Sequence, residues 1–131
     1  MARCAISFWA TLLLLAAWAL QPWCSRAGVP ADEAAYQTGQ NALEGLFYEK
    51  AETTFGQFTT TFTNSPLLPA AILGQAIARL KQTNYAGAIA LLTSRIDAAG
   101  SRTDQYLFWL GEAYYSQGSN ALAAQVFEKL I

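Results

Sequence analysis

The sequence predicts an all-α protein, an α-solenoid of about three antiparallel helix pairs behind an N-terminal signal helix. Three observations lead to this fold class. An uncharged apolar run lies near the N-terminus, the remaining chain has a period of about 35 residues, and apolar residues within each period are spaced three and four apart. The chain has 131 residues, which is enough for one small domain, and its 53% hydrophobic content is typical of a folded protein.

The first 27 residues have the layout of a secretory signal peptide. Residues 5–20 are apolar and uncharged, and Pro22 ends this run before a short segment with small residues. We predict cleavage near Ala27 and a periplasmic or secreted protein, whose mature chain starts with a spacer at residues 28–31. The alternative is a membrane anchor formed by an uncleaved 5–20 helix, which is short for the roughly 20 residues that a span requires. In either case we expect membrane contact only through this segment.

The cysteines indicate the compartment. Cys4 and Cys24 both precede the predicted cleavage site, so the mature chain contains no cysteine. Disulfide bonds therefore do not hold the predicted fold together. Export without cysteine favours a bacterial periplasm over a disulfide-rich secreted module.

Composition excludes several function classes. Lys and Arg number 8 and Asp and Glu number 9, so no basic excess indicates a nucleic-acid partner. Histidine is absent, which excludes Ser-His and Cys-His catalysis and, without mature cysteine, the usual zinc sites. Glu49 and Glu52 are three apart on one predicted helix, which is typical of a solvated face rather than of facing catalytic carboxylates. We predict no catalytic residue, no metal and no cofactor.

The repeat is carried by small residues. Two sets recur with identical steps of 37 and then 35 residues, one in the first helix of each unit and one in the second. The sets are Gly39, Ala76 and Gly111, and Ala51, Ala88 and Ala123. Antiparallel helices that pack with axes about 8–10 Å apart need small residues where their backbones meet. We therefore expect each first-helix residue to lie against the alanine of its own unit.

The elements follow in chain order. The predicted helices are 32–46, 47–63, 67–82, 84–98, 102–117 and 120–131, which form units at about 32–66, 67–100 and 101–131. The threonine-rich stretch 53–63 contains many strand-forming residues. Its phenylalanines, Phe55, Phe58 and Phe62, are nevertheless spaced three and four apart, so we predict a helix there.

Turn residues mark the helix boundaries. The sequence Asn64-Ser65-Pro66 predicts a turn, because a proline disfavours helical geometry in the residue before it. We expect Thr83 to cap the fourth helix, and Ser119 to cap the sixth. Gly100 and Gly118 suit left-handed positions after helix ends.

The third unit resembles a tetratricopeptide repeat. The positions that match the family pattern are Leu107, Leu110, Gly111, Tyr114, Gly118, Ala123 and Phe127. The first two units match less completely, and the resemblance covers about residues 32–131. The turn Asn64-Ser65-Pro66 makes the chain similar to exported bacterial members, namely the Tol-Pal coordinator and outer-membrane assembly proteins.

The resemblance implies a partner-binding groove on the inner, concave face of the array. Its residues would be Tyr36, Gln40, Leu43, Leu73, Ile77, Leu80, Phe108, Glu112 and Tyr115. Such an apolar and aromatic groove suits an extended peptide or a partner's helix, of unknown identity. Alternatively, these residues shield the seams between helices or contact a missing segment.

The last predicted helix carries an apolar stripe of Val126, Phe127, Leu130 and Ile131. Solenoids need polar faces at their ends. We therefore expect the third unit to be truncated, with further repeats covering the stripe, or a partner chain to cover it.

Two functions remain open at this stage. The first is an exported scaffold for protein–protein interaction in the bacterial cell envelope, with no chemistry of its own. The second is the recruitment arm of a longer enzyme or envelope-transport subunit whose active domain lies beyond Ile131.

Overall fold

The computed structural model describes residues 28–131, so the predicted signal peptide and its two cysteines lie outside the described residues. These residues form six α-helices and contain no strand. The helices are α1 Ala31–Glu44, α2 Tyr48–Thr61, α3 Leu68–Lys81, α4 Tyr85–Arg95, α5 Thr103–Ser116 and α6 Asn120–Glu128. Two short 3₁₀ turns, Ile96–Ala98 and Gly100–Arg102, join α4 to α5.

The prediction of an all-α solenoid of three helix pairs is confirmed. Each helix is one to three residues shorter than predicted at one or both ends, and α1 also begins one residue earlier, at Ala31. The threonine-rich stretch is helical as expected, because Phe55 and Phe58 on one side of α2 are buried. Three consecutive threonines on its exposed end, Thr59 to Thr61, do not prevent the helix because core packing outweighs their weak strand preference.

The helices stack in sequence order. Each helix packs against the next one, and the first helices of neighbouring units also contact each other, α1 with α3 and α3 with α5. The first helices therefore adjoin along one side of the array. Within residues 28–131, no helix combines the length and the apolar character needed to cross a bilayer.

Three equivalent turns join the two helices of each unit. The left-handed residue in these turns is Leu46 (φ 63°), Thr83 (φ 63°) or Gly118 (φ 89°), and these positions recur with the steps of 37 and 35 residues. In each turn the following residue donates its N–H to the carbonyl five residues earlier, as Phe47 does to Ala42 at 2.8 Å. This is the Schellman geometry that closes a helix. The repeat seen in the small residues is thus also present in the backbone.

The residue that precedes each second helix repeats as well. Its φ is −86° at Phe47, −83° at Asn84 and −87° at Ser119. The prediction that Thr83 caps α4 is wrong, because Thr83 takes the left-handed position and Asn84 takes the cap. The Asn84 side chain accepts a hydrogen bond from the backbone N–H of Gly87 at 3.1 Å. Ser119 occupies the cap position of α6, but its hydroxyl makes no capping hydrogen bond.

Replacing Thr83 with glycine should stabilise the protein. A β-branched residue is strained at a positive φ, whereas glycine is not. We expect Thr83→Gly to raise the free energy of unfolding by about 0.5–1 kcal/mol, since the strain relieved exceeds the added entropy of the unfolded chain. Gly118→Ala is the matched control, because no atom lies within 4 Å of a β-carbon placed there and only backbone strain changes. It should lower stability by about 1 kcal/mol. Urea denaturation would measure both, and a loss of stability in Thr83→Gly would contradict this account.

Two of the small first-helix residues closely approach an aromatic ring of the second helix in their own unit. A β-carbon built at Gly39 would lie 2.6 Å from two ring atoms of Phe55, and one at Gly111 would lie 2.5 Å from Cζ of Phe127. In the first and third units, the large residue four positions after the alanine therefore reaches across the helix pair and covers the glycine. The pairing of these glycines with Ala51 and Ala123 stays a prediction.

The core divides into clusters that lie at the junctions between helices. One cluster joins α1, α2 and α3 around Phe55 and Phe58. Another joins α3 through α6 around Leu92 and Tyr106. The hydrophobic core therefore extends along the array instead of forming a single compact centre. As a result, each unit depends on its neighbour to bury its apolar side chains.

Tyr106 connects the third unit to the second through a hydrogen bond. Its side chain is fully buried, and its hydroxyl donates a hydrogen bond to the carbonyl oxygen of Pro69 at 2.7 Å. This contact connects α5 to the first turn of α3. Burial raises the pKa of the Tyr106 phenol to about 12.

The raised pKa predicts a loss of stability in alkali. The phenol keeps its proton more tightly in the folded state than in the unfolded chain, whose tyrosine pKa is about 10. The protonated phenol therefore makes its full contribution to the free energy of unfolding below pH 10. This contribution disappears as the pH rises from about 10 towards 12. Tyr106→Phe should be less stable by about 0.5–1.5 kcal/mol at pH 7 and should lose less stability than the wild type between pH 9 and pH 11.5. Urea titrations across this range would test it, and parallel pH profiles of the two proteins would refute it.

Candidate functional site

The candidate site is the side of the array where the first helices α1, α3 and α5 adjoin. Each of these helices supplies three of the predicted groove residues at equivalent repeat positions. The fold therefore brings the predicted residues onto neighbouring helices in the expected order. Their role in binding stays a prediction.

The groove residues of α1 are partly buried by their own unit. The ring of Tyr36 packs against Phe55 and Phe58 of α2, with centroids 5.8 and 6.4 Å apart. The side-chain amide of Gln40 donates a hydrogen bond to the Tyr36 hydroxyl. Leu43 also packs against the core cluster around Phe55. At this end of the groove, the surface is held in place by contacts beneath it.

The groove residues of α3 lie deepest. Leu73 and Leu80 are buried, at 7% and 9% exposure, and each belongs to a hydrophobic cluster. These two side chains therefore lie in the core rather than on the groove surface, because the clusters that bury them join α3 to later helices of the array. Ile77 between them remains half-buried.

The groove residues of α5 are the most accessible. Phe108 is 45% exposed and Tyr115 is 64% exposed, while Glu112 between them is half-buried. The Phe108 ring is fixed by an edge contact with Trp109, with centroids 5.4 Å apart, and by Phe127 at 6.3 Å. An exposed aromatic ring that neighbouring side chains already hold in place loses little entropy on binding, so Phe108 is well suited to anchor a partner in the predicted groove.

Carboxylates dominate the charge around the groove. Glu33 and Glu44 are exposed on α1, and Glu112 is half-buried on α5. Lys81 is an exposed cation at the end of α3. The apolar centre is therefore edged mainly by negative charge.

The predicted stripe on α6 is only partly exposed. Val126 is buried in the cluster around Leu92, and Leu130 packs against the same cluster. The inclusion of Val126 in an exposed stripe is corrected, because this side of α6 faces the preceding helices. Phe127 is half-buried, and Ile131 is fully exposed.

Glu52 does not lie on a solvated face as predicted. Its carboxylate forms an ion pair with Arg79 of α3, with 2.8 Å between Oε1 and Nε, and accepts a hydrogen bond from the Gln82 side chain at 2.8 Å. Arg79 also donates to the Gly87 carbonyl oxygen of α4 at 3.1 Å. This network joins α2, α3 and α4. The sequence signal that could have revealed it is a single arginine within the otherwise apolar face of α3, which needs a partner when half-buried.

A comparison with family models identifies the repeat. A model of the tetratricopeptide repeat matches residues 73–131. This part of the chain belongs to the tetratricopeptide repeat family. Searches of curated proteins and of solved structures gave no match.

The matched region contains most of α3 and all of α4, α5 and α6. The first helix pair precedes the match but has the same turn geometry, so the arrangement of all six helices is that of a tetratricopeptide repeat array. Such repeats generally mediate protein–protein interaction, and they are typically non-catalytic scaffolds. Their stacking produces a concave surface on which partners bind.

Gly74 is needed for close helix packing, but the comparison of the repeat units with one another did not identify it. A β-carbon there would lie 2.6 Å from Cε2 of Phe55, which is the residue that Gly39 contacts from the other side. Gly74 is two residues before Ala76, so it is outside the set of recurring small residues. A glycine within the helix-favouring sequence of α3 was the available signal, since it costs helix stability unless close packing requires it.

Proposed function

We propose that the protein is an exported tetratricopeptide repeat scaffold that binds a partner protein in the bacterial cell envelope and has no chemistry of its own. The observation that carries the proposal is the pair of exposed aromatic side chains on α5, Phe108, whose ring is held by Trp109 and Phe127, and Tyr115. They lie on the side where the first helices adjoin. Aromatic residues in such positions commonly supply much of the binding energy of an interface.

The shape and charge of the groove favour a peptide or helix as the bound element. Phe108 and Tyr115 are seven residues apart on one helix, which separates them by about 10 Å along its axis. An extended segment or a helix of the partner can contact both. The surrounding carboxylates favour a partner segment with apolar anchors and a positive net charge.

Site-specific photo-crosslinking tests the groove. A benzoylphenylalanine introduced at Tyr115 in the full chain should form a covalent adduct with a partner protein in intact cells. The matched control places the same group at Glu49, which is exposed on α2, away from the first helices. Adducts at position 115 that are absent at position 49 would support the groove. Equal adducts at both positions, or none at 115, would contradict it.

Export rests on the apolar N-terminal run and the small residues before Gly28. N-terminal sequencing of the protein recovered from a bacterial envelope fraction would test this part separately. The expected sequence starts at Gly28. An intact N-terminus in that fraction would instead support the anchored form, and its recovery only from the cytoplasm would contradict export.

A further inference from the structure

The groove contains a half-buried carboxylate that the fold leaves without a partner. Among the described residues, the half-buried carboxylates are Asp32, Glu52 and Glu112. Asp32 accepts a hydrogen bond from the Ser65 hydroxyl at 2.7 Å, and Glu52 pairs with Arg79 at 2.8 Å. Within this part of the chain, Glu112 has neither an ion pair nor a side-chain hydrogen bond. A carboxylate that has lost part of its hydration gains from a cation brought next to it.

The repeat position of Glu112 faces the groove rather than a neighbouring helix. Its equivalents, by the steps of 37 and 35 residues, are Gln40 of α1 and Ile77 of α3. Ile77 remains half-exposed although α3 contacts α1, α2, α4 and α5, which belong to all three units. The position therefore stays open when helices of the preceding and following units pack against its own helix. A helix packed beyond α5 would likewise leave Glu112 accessible.

The three equivalent residues form a row across the first helices, from Gln40 through Ile77 to Glu112. Neighbouring helices pack with their axes about 8–10 Å apart. A peptide in the polyproline II conformation has three residues per turn and rises about 3.1 Å per residue, so every third side chain lies on one side at intervals of about 9 Å. This conformation matches the spacing of the row. A β-strand does not, because side chains three residues apart in a strand point to opposite faces.

The residues of the row differ in chemistry. The Gln40 side-chain amide donates to the Tyr36 hydroxyl, which leaves the Gln40 side-chain oxygen as an acceptor. Ile77 provides an apolar contact, and Glu112 provides a negative charge. A ligand that fits the whole row therefore presents a hydrogen-bond donor, an aliphatic side chain and a cation at intervals of three residues.

We infer, on the basis of the proposed partner-binding function, that Glu112 selects a basic side chain of the partner. The recognised segment is extended in the polyproline II conformation and carries lysine or arginine three residues from an aliphatic residue. The aliphatic side chain contacts Ile77, and the cation pairs with Glu112. A polar residue on the other side of the aliphatic one donates to Gln40. The partner thus supplies to Glu112 what Arg79 supplies to Glu52 within the fold.

A peptide selection tests this specificity. The probe is a library of random dodecapeptides displayed on phage and selected on the full chain. The enriched peptides should carry lysine or arginine three residues from leucine, isoleucine, valine or methionine. Selection on Glu112→Lys should instead enrich aspartate or glutamate in place of the basic residue. Selection on Glu49→Lys, which makes the same charge change on exposed α2, should enrich the basic residue as the wild type does.

A synthetic copy of an enriched peptide, labelled with fluorescein, gives the size of the effect. Glu112→Gln should weaken its binding about five- to tenfold in fluorescence anisotropy titrations, because a partly desolvated charge pair loses one partner. Glu49→Gln should change the affinity by less than about twofold. Exchanging the basic residue of the peptide for glutamate should weaken binding to the wild type and restore it to Glu112→Lys.

Several results would overturn the inference. They are a selection that yields no peptide, enriched peptides without the basic residue, and equal binding by the wild type and Glu112→Gln. A clear loss of stability of Glu112→Gln in urea denaturation would also overturn it, because a cation of this protein would then pair with Glu112. Crosslinking at Tyr115 tests the proposed function separately. Adducts there, together with any of these results, would leave partner binding in place and remove only the role of Glu112.

Discussion

Gly111→Leu is expected to lower the free energy of unfolding by about 2–4 kcal/mol. A β-carbon at position 111 would lie 2.5 Å from Cζ and 2.8 Å from Cδ1 of Phe127, so α5 and α6 must separate or the ring must leave its place. Separation exposes the core between the two helices. Movement of the ring removes Phe127 from its contact with Phe108. Either response reduces stability, which urea denaturation followed by circular dichroism would measure.

Two control variants isolate the close contact. Gln105→Leu places the same side chain at an exposed position of α5, and its effect should stay within about 0.5 kcal/mol. Glu49→Gln, on the exposed surface of α2, should leave stability almost unchanged. If Gly111→Leu were as stable as Gln105→Leu, the described packing of α5 against α6 would be wrong.

Phe55→Ala should be the most destabilising change in the first two units, at about 3–5 kcal/mol. The ring is fully buried between Gly39 and Gly74 and also contacts Tyr36. Because the residues closest to the ring on two sides are glycines, they have no side chain that could move in to fill the space. The cavity would lie where α1, α2 and α3 meet, so the first unit should detach from the second at a lower denaturant concentration.

Phe47→Ala is the matched control, since Phe47 is 67% exposed and should contribute less than about 1 kcal/mol. A double-mutant cycle tests the contact with Gly74 itself. Gly74→Ala should destabilise the wild type, but it should be nearly neutral or stabilising in the Phe55→Ala background, where the methyl group enters the cavity. Equal effects of Gly74→Ala in both backgrounds would show that the ring and the glycine do not touch.

Local periodicity was sufficient to predict the helices. Phe55, Phe58 and Phe62 kept helical spacing through a stretch rich in strand-forming threonines, and the structure confirms a helix there. The turns could also be predicted where a residue that favours a positive φ marked them. Gly118 is left-handed as predicted, whereas Thr83 was misassigned because a threonine rarely adopts a positive φ.

The groove was only partly predictable. Helical spacing correctly placed the nine predicted residues on the three first helices, but it does not distinguish a residue at the surface from one beneath a neighbouring helix. Leu73 and Leu80 are buried because they belong to hydrophobic clusters that join α3 to later helices of the array. Tyr115 is the residue of α5 that is equivalent to Leu80. It is exposed because no helix among the described residues packs on the far side of α5 in the way that α5 packs on α3.

The amino-acid sequence by itself determined the helical class, the repeat of 37 and 35 residues and the family, because these depend on spacing along one chain. Only the tertiary structure decided which side chains meet across units. The ion pair of Glu52 with Arg79 and the enclosure of Phe55 by Gly39 and Gly74 join residues far apart in sequence. Such contacts depend on the angle and depth at which helices stack, and these emerge from the packing of all side chains together rather than from any local pattern.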